Sequence, residues 1–597
     1  MSTTLKHHFV VEGGENFIPS DLVDMDVVKW THHISQEHAH RKPYHFTLLK
    51  RFVTVACAFF LIYTYISGWG AKYLIKERPI IELPDLYEAS IAELQSGLEE
   101  GRFTSVDLVK AYLARIEEVN HQGPTLRAVI ETNPIALEQA KTLDLERKMF
   151  RRRGPLHGIP IVVKDNIATM HSEGMNTTAG SHALLGSVVP RDAHVIARLR
   201  AAGAIILGKA NLSEWSSARG DVPSGFTGRG GQCFSPYVPL GNPSGSSSGS
   251  GISTAIGLAA AALGTETDGS IVQPSSIHNL VGIKPTVGLT SRAGVIPISE
   301  HQDSVGPMCR SVADAAAILT VIAGKDPLDN YTLAQPPIIP DYTKALNKSA
   351  LNGIRVGVAR KFAVSADPYV IASFNATLDI FRGLGAVVVD PADLPSSEEI
   401  LEGRNETIVS GTDLKFGINK YISELVDVPT GVKNISDLIA FNTAHADQEL
   451  IPPYWEDQST FERVQSRVRD QDYYRAIAFN KELGRTRGID AALQKHGVDV
   501  LIAPTGEICR PAAIAGYPII TVPLGFFPAE TPLSPAKPIR YTGPNMPFGI
   551  SFTGTAYSEF KLISYAFAYE QATHARLRQL AYPEAIPMTQ LRDILRD

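Results

Sequence analysis

Polar and apolar positions divide this chain into blocks with different periods. The first 51 residues are mostly polar and carry no sustained pattern. Phe52 to Ala71 is then an uncharged run of twenty residues. As a helix it would reach about 30 Å, the thickness of a bilayer's hydrocarbon core. Tyr63, Tyr65 and Trp69 gather toward one end, as interfacial aromatics do. The run is too long, and too far inside the chain, for a cleaved signal peptide. It is therefore expected to be a single transmembrane helix over 52–72, after a polar tail (1–51) and before a proline-bearing linker (73–84). Residues 85–597 then form one large domain. Helical periods cover Ser90–Glu100 and Ser105–Val119, the second opened by a capping pair, Thr104 and Asp107. Strand-like runs follow at Ile159–Val163, Ala204–Leu207, Ile354–Val358, Val387–Val389, Val498–Ala503 and Ile519–Leu524. Helical stretches separate most of them, and Ile252–Leu263 is Ala-rich and helix-like. This alternation predicts a layered α/β fold, with helices packed on a central sheet.

Composition narrows the function. With 597 residues, 44% of them hydrophobic, the chain can bury a large core. A net charge of −6 with no basic face offers nothing to nucleic acid. Four cysteines are not a disulfide framework. The N-terminal tail holds His7, His8, His32, His33, His38, His40 and His45, but their spacing fits no compact zinc site, so no metal is assigned. Arg41, Lys42, Lys50 and Arg51 precede the apolar run, and Lys72, Lys76 and Arg78 follow it. That bias puts the tail in the cytoplasm and the large domain in the lumen or outside. Sequons beginning at Asn176, Asn211, Asn347, Asn375, Asn405 and Asn434 permit such a location, although the first two lie in core-like segments.

The candidate chemistry lies in two glycine-rich runs and one lysine. The first run is Gly245-Ser246-Ser247-Ser248-Gly249-Ser250-Gly251, and the second is Leu263-Gly264-Thr265-Glu266-Thr267-Asp268-Gly269-Ser270-Ile271. Upstream stands Ile161-Val162-Val163-Lys164-Asp165-Asn166. Together they offer a nucleophile, a second hydroxyl to relay a proton, and a base that need not be histidine. Alone, the first run reads as a flexible loop, and Lys164 as a solvated surface group. Gly245 to Gly249 also fits a nucleophile elbow, yet Pro239 and Pro243 interrupt the strand such an elbow needs. His157, His194, His278 and His301 read as structural. No phosphate-binding loop ending in Gly-Lys-Ser/Thr is present.

These segments resemble the amidase signature family, which includes fatty acid amide hydrolases and the catalytic subunit of the glutamyl-tRNA amidotransferase. The resemblance begins near Tyr87-Glu88-Ala89 and continues through Gly158–Asn166 and Gly203–Asn211. It runs from Gly245 to Met308, and more loosely from Val498 to Tyr582; it fades from Ala392 to about Ala476, where Leu414, Phe416, Ile418 and Tyr421 could serve helix packing or the acyl pocket. It implies one large domain with a central mixed sheet covered by helices, the active site above the sheet, and no cofactor. It also implies the residue roles. Ser270 matches the nucleophile, Ser246 the bridging serine, and Lys164 the base, which must be neutral to act. Backbone N–H groups of Thr267, Asp268, Gly269 and Ser270 match the oxyanion hole, and a cis peptide is expected at Gly245–Ser246. Two departures stand out. Asp268 occupies a position where the commonest form has glycine, and its side chain is expected to point away from the oxyanion. Val272 stands where the family often has arginine. The implied reaction is hydrolysis of a carboxylic amide, fatty, aryl or alkyl, through an acyl-Ser270 intermediate. The alternatives are a tRNA-dependent amidotransferase subunit with glutaminase activity, and a non-catalytic membrane scaffold on the same fold. The oligomeric state is left open.

Overall fold

The computed structural model describes residues 45–66 and 82–596. Two units separate, 1–81 and 82–597. The predicted tail up to residue 44 and most of the linker lie outside the described residues.

The described part of the first unit is one helix, His45–Ile66. It corrects the predicted span. The helix begins at His45, not Phe52, and takes in Lys50 and Arg51. Its uncharged remainder, Phe52 to Ile66, reaches roughly 22 Å, short of the roughly 30 Å of a hydrocarbon core. Residues 67–71 of the predicted span are outside the description. Among the described residues, no helix is long and apolar enough to cross a membrane.

In the second unit, eleven strands pair into one sheet. They are β1 (Val129–Thr132), β2 (Pro160–Lys164), β3 (Ile205–Ala210), β4 (Ala261–Glu266), β5 (Val281–Lys284), β6 (Ser304–Cys309), β7 (Arg355–Val358), β8 (Val387–Val389), β9 (Val500–Pro504), β10 (Ile519–Phe526) and β11 (Pro547–Thr553). Their order is β1-β3-β2-β4-β6-β5-β10-β11-β9-β7-β8. β2 runs parallel to both neighbours, β3 and β4. The middle of the sheet is antiparallel, and β9, β7 and β8 are again parallel. The predicted mixed α/β sheet is therefore present. Every residue of β2, β3 and β4 is buried, as expected where helices cover both faces of parallel strands. That packing explains the continuous apolar runs in the sequence.

The two predicted N-terminal helices form at Ile91–Glu99 and Ser105–Asn120. Each starts with a reciprocal capping box, Ser90 with Glu93 and Thr104 with Asp107, satisfying amide groups that a helix's first turn leaves open. The run Ile252–Leu263 is not one helix. The helix Ser248–Ala255 ends there, and Ala261–Glu266 becomes the central strand β4. Gly257 makes the break: its φ is +67°, and a Cβ would lie 2.1 Å from the carbonyl oxygen of Leu86. Asn211, first residue of one sequon, is fully buried and donates from Nδ2 to Arg127 O at 2.9 Å, so it cannot carry a glycan.

Candidate active site

The parallel pairing of β2 and β4, with Val163 opposite Leu263, brings their C-terminal ends side by side. Lys164 closes β2, and Thr265 and Glu266 close β4. The loop before the helix Ser248–Ala255 crosses above them with Ser246. Such strand ends are where open α/β sheets place their ligand sites.

Lys164 is fully buried. Its Nζ lies 2.6 Å from Ser246 Oγ and donates to Thr265 Oγ1 at 2.9 Å and Thr265 O at 3.2 Å. Asn166 Nδ2 donates to the same Thr265 hydroxyl at 3.0 Å. Desolvation pulls the lysine's pKa down to about 7, against the opposing charges of Asp303 and Glu266. No carboxylate touches Nζ. The ammonium is therefore held by neutral groups and can lose its proton near neutrality.

Ser246 is fully buried, and the Gly245–Ser246 peptide is cis. Ser247 knits the two runs together. Its N–H donates to Ser270 O at 3.1 Å, its Oγ donates to Thr265 O at 3.2 Å, and the Thr265 N–H reaches the same Oγ at 3.3 Å. Ser270 is partly exposed and opens onto a cavity of about 490 Å³. In this arrangement its Oγ makes no hydrogen bond, so the Ser246–Ser270 link is not closed. Catalytic hydrogen bonds commonly tighten only when substrate is bound.

Between the runs, the loop curls back on Glu266. This buried carboxylate accepts from the N–H groups of Ile271 at 2.7 Å and Val272 at 2.9 Å, and faces the Gly269 amide. Val272, where arginine was absent, thus anchors the loop through its backbone. Gly269 has φ of +77°, which turns the chain just before Ser270. The N–H groups of Thr267, Asp268 and Ser270 enter no hydrogen bond among the described residues. They remain available to a developing oxyanion. Asp303 Oδ1 accepts from Thr267 Oγ1 at 2.6 Å, and its Oδ2 from the amides of Ile298 and Ser299.

Asp268 is among the residues lining the cavity that holds Ser270, and its Oδ1 is fully buried. Glu406 from the helix Asn405–Ser423 lines it too, with Leu414 beyond. So do Ser216 and Ser217, which follow Trp215 in a left-handed stretch with φ of 52°, 57° and 69°. Such backbone costs about 1–2 kcal/mol per residue and is braced by the buried Arg219–Glu214 ion pair.

Thr265, Glu266, Asp303 and Glu406 were not singled out in the sequence. Two of them lie in the recognised runs, Thr265 and Glu266, and Asp303 sits in the next matched segment. Nothing local marks Glu406. The four histidines set aside earlier hydrogen-bond to neither serine. His157 and His278 are fully buried, and desolvation lowers His278 to about 3. His301 bonds Asp413 at 2.7 Å. Among the described residues, Glu300, His301 and Asp413 alone have metal-ligand spacing. Asp413 there already accepts from Ser299, Tyr473 and His301.

Comparison with known proteins places this geometry. The sequence profile described as Amidase matches residues 107–508. A putative amidase of Arthroderma benhamiae is 42% identical over 540 residues, covering 85% of this chain and 90% of its own. The native peptide amidase of Stenotrophomonas maltophilia superposes with a TM-score of 0.74 at 42% identity, covering 84% of this chain and 99% of its own. A glutamyl-tRNA(Gln) amidotransferase subunit from Chloroflexus aurantiacus is 40% identical over 310 residues, but covers only 52% of this chain and 61% of its own.

Proposed function

Because this chain belongs to the amidase signature family, and is an amidase by that membership, we propose that it hydrolyses carboxylic amides through an acyl-Ser270 intermediate. The observation that carries this reading is the 2.6 Å contact between a buried, readily deprotonated Lys164 and Ser246. Neutral Lys164 takes the proton of Ser246, which takes that of Ser270 as its Oγ attacks the carbonyl carbon. Free amides along Thr267, Asp268 and Ser270 meet the oxyanion. The C–N bond then breaks, and Lys164 returns its proton through Ser246 to the leaving nitrogen. Water repeats the cycle on the ester and releases the acid.

The substrate is proposed to be a short, polar or peptide-type amide. Ser224, Asn242, Ser244, Thr407, Ser410 and Thr460 supply much of the cavity lining, which suits hydrogen-bonding groups better than an alkyl chain. The amidotransferase reading has less support, since the subunits of that name that span most of this chain are 30–31% identical, against 42% for the amidases.

The test is intact-mass labelling with a fluorophosphonate, alongside hydrolysis of peptide amides followed by chromatography. The expected result is one adduct on wild type, absent in Ser270→Ala and much slower in Lys164→Ala. An adduct surviving in Ser270→Ala would refute the assignment of the nucleophile.

A further inference from the structure

The Oδ1 of Asp268 is fully buried and has no hydrogen-bond partner among the described residues. Asp268 lines the cavity two residues before Ser270, at a position where the family's commonest form has glycine. Glu406 faces the same cavity; its Oε1 accepts from Gln302 Nε2 at 2.8 Å. Gln302 Nε2 also reaches Thr267 O at 3.5 Å, which ties this acid to the loop carrying the amides of Thr267, Asp268 and Ser270.

The acids facing Asp268 are Glu406, Glu266 and Glu507. Two cations lie within reach of its charge, Arg510 and the buried Lys284. Arg510 directs its hydrogen bonds to Leu401 O at 3.1 Å and Glu507 at 3.5 Å, and Lys284 to Tyr517 O at 3.0 Å and Pro285 O at 3.3 Å. Both cavity acids are therefore half-buried, close to other acids, and, among the described residues, without a contacting cation. Burial first, and mutual repulsion second, push the pKa of Asp268 well up, and burial raises Glu406. Two carboxyls so placed repel one another, and holding negative charge there is costly. An external cation would offset that cost.

We propose that Asp268 and Glu406 form a subsite for a protonated amine carried by the substrate close to the scissile amide. The enzyme then prefers amino-bearing amides, such as amino acid amides with a free α-amine, over neutral or acidic ones. Arg463 and Arg467 line the same cavity. Arg463 is solvent exposed and donates to Thr460 Oγ1 at 2.9 Å, and Arg467 is half-buried. Water screens these cations more than it screens the acids, so the acids set the charge preference beside Ser270.

The inference rests on the amide hydrolase reading above, and one experiment separates the two. The full chain is assayed at pH 7 with alaninamide, lactamide and malonamate, which place an ammonium, a hydroxyl or a carboxylate on the carbon beside the carbonyl. Ratios of kcat/KM between them cancel the titration of Lys164. Wild type is expected to favour alaninamide over lactamide at least tenfold, with malonamate last. In Glu406→Gln, that ratio is expected to fall at least fivefold, through KM. Equal or better use of malonamate, or a ratio unchanged in a folded Glu406→Gln, overturns the subsite. Absence of all hydrolysis together with absence of fluorophosphonate labelling overturns the amidase reading instead. Should Glu406→Gln not fold, competitive inhibition of wild type decides. Ethylammonium is expected to inhibit at least tenfold better than ethanol, and equal inhibition refutes the proposal.

Discussion

The cavity has two unlike walls. One is built from strand ends and glycine-rich loops, with Lys164, Ser246, Thr265 and Ser270, and most of its polar groups are paired with one another over short distances. The other is built from helices, Asn405–Ser423 and Ser459–Val464, with Glu406, Ser410, Leu414 and Arg463. There the polar groups meet open cavity. The first wall is fixed by a reaction that tolerates little displacement. The second is fixed only by what has to fit.

Substitutions can separate the walls. The largest loss belongs to Ser270→Ala, which should lower kcat for a peptide amide by about 10⁴-fold or more, as removal of a nucleophile does in other serine hydrolases. A smaller loss would break the distinction between the walls. Next comes Lys164→Met, which keeps the buried volume and removes the base; kcat should fall roughly 10²–10⁴-fold. The base also sets a pH profile. Lys164 is active when neutral, and burial lowers its pKa to about 7. Activity should therefore rise as pH increases through about 7 and level off above it, as read from kcat/KM for an uncharged amide. Thr265→Val removes a hydroxyl that meets Lys164 and Asn166. Up to about a tenfold drop in kcat is expected, since Lys164 acts when neutral and one such hydrogen bond contributes roughly 0.5–1.5 kcal/mol. The smallest effect is expected on the helical wall. Ser410→Leu narrows the cavity and should raise KM several-fold for bulky amides, while fluorophosphonate labelling of Ser270 continues.

The same contrast explains what the sequence revealed. Lys164, Ser246 and Ser270 were legible because their surroundings demand small or polar residues in a recognisable order. β2, β3 and β10 were legible as apolar runs. β4 was missed because Ala259 to Leu263 fits a helix or a buried strand equally well, and only Gly257 with the pairing to β2 and β6 decides. Glu406 was invisible for another reason. It belongs to a helix whose pattern reports packing, and its place beside Asp268 depends on contacts across more than a hundred residues of chain. The predicted membrane span differs at its N-terminal boundary, where the helix takes in Lys50 and Arg51, and residues 67–72 of it lie outside the described residues.

Every group assigned to bond making and breaking lies between Lys164 and Ser270, carried by β2, β4 and the loops joined to them. Many of the groups that meet the substrate's remainder lie after residue 400, on the helices of the second wall. Descent can therefore treat the two separately. An insertion or exchange within the later helices alters which amides are accepted and leaves the inherited reaction intact, so one catalytic segment can serve a lineage of enzymes with diverging diets.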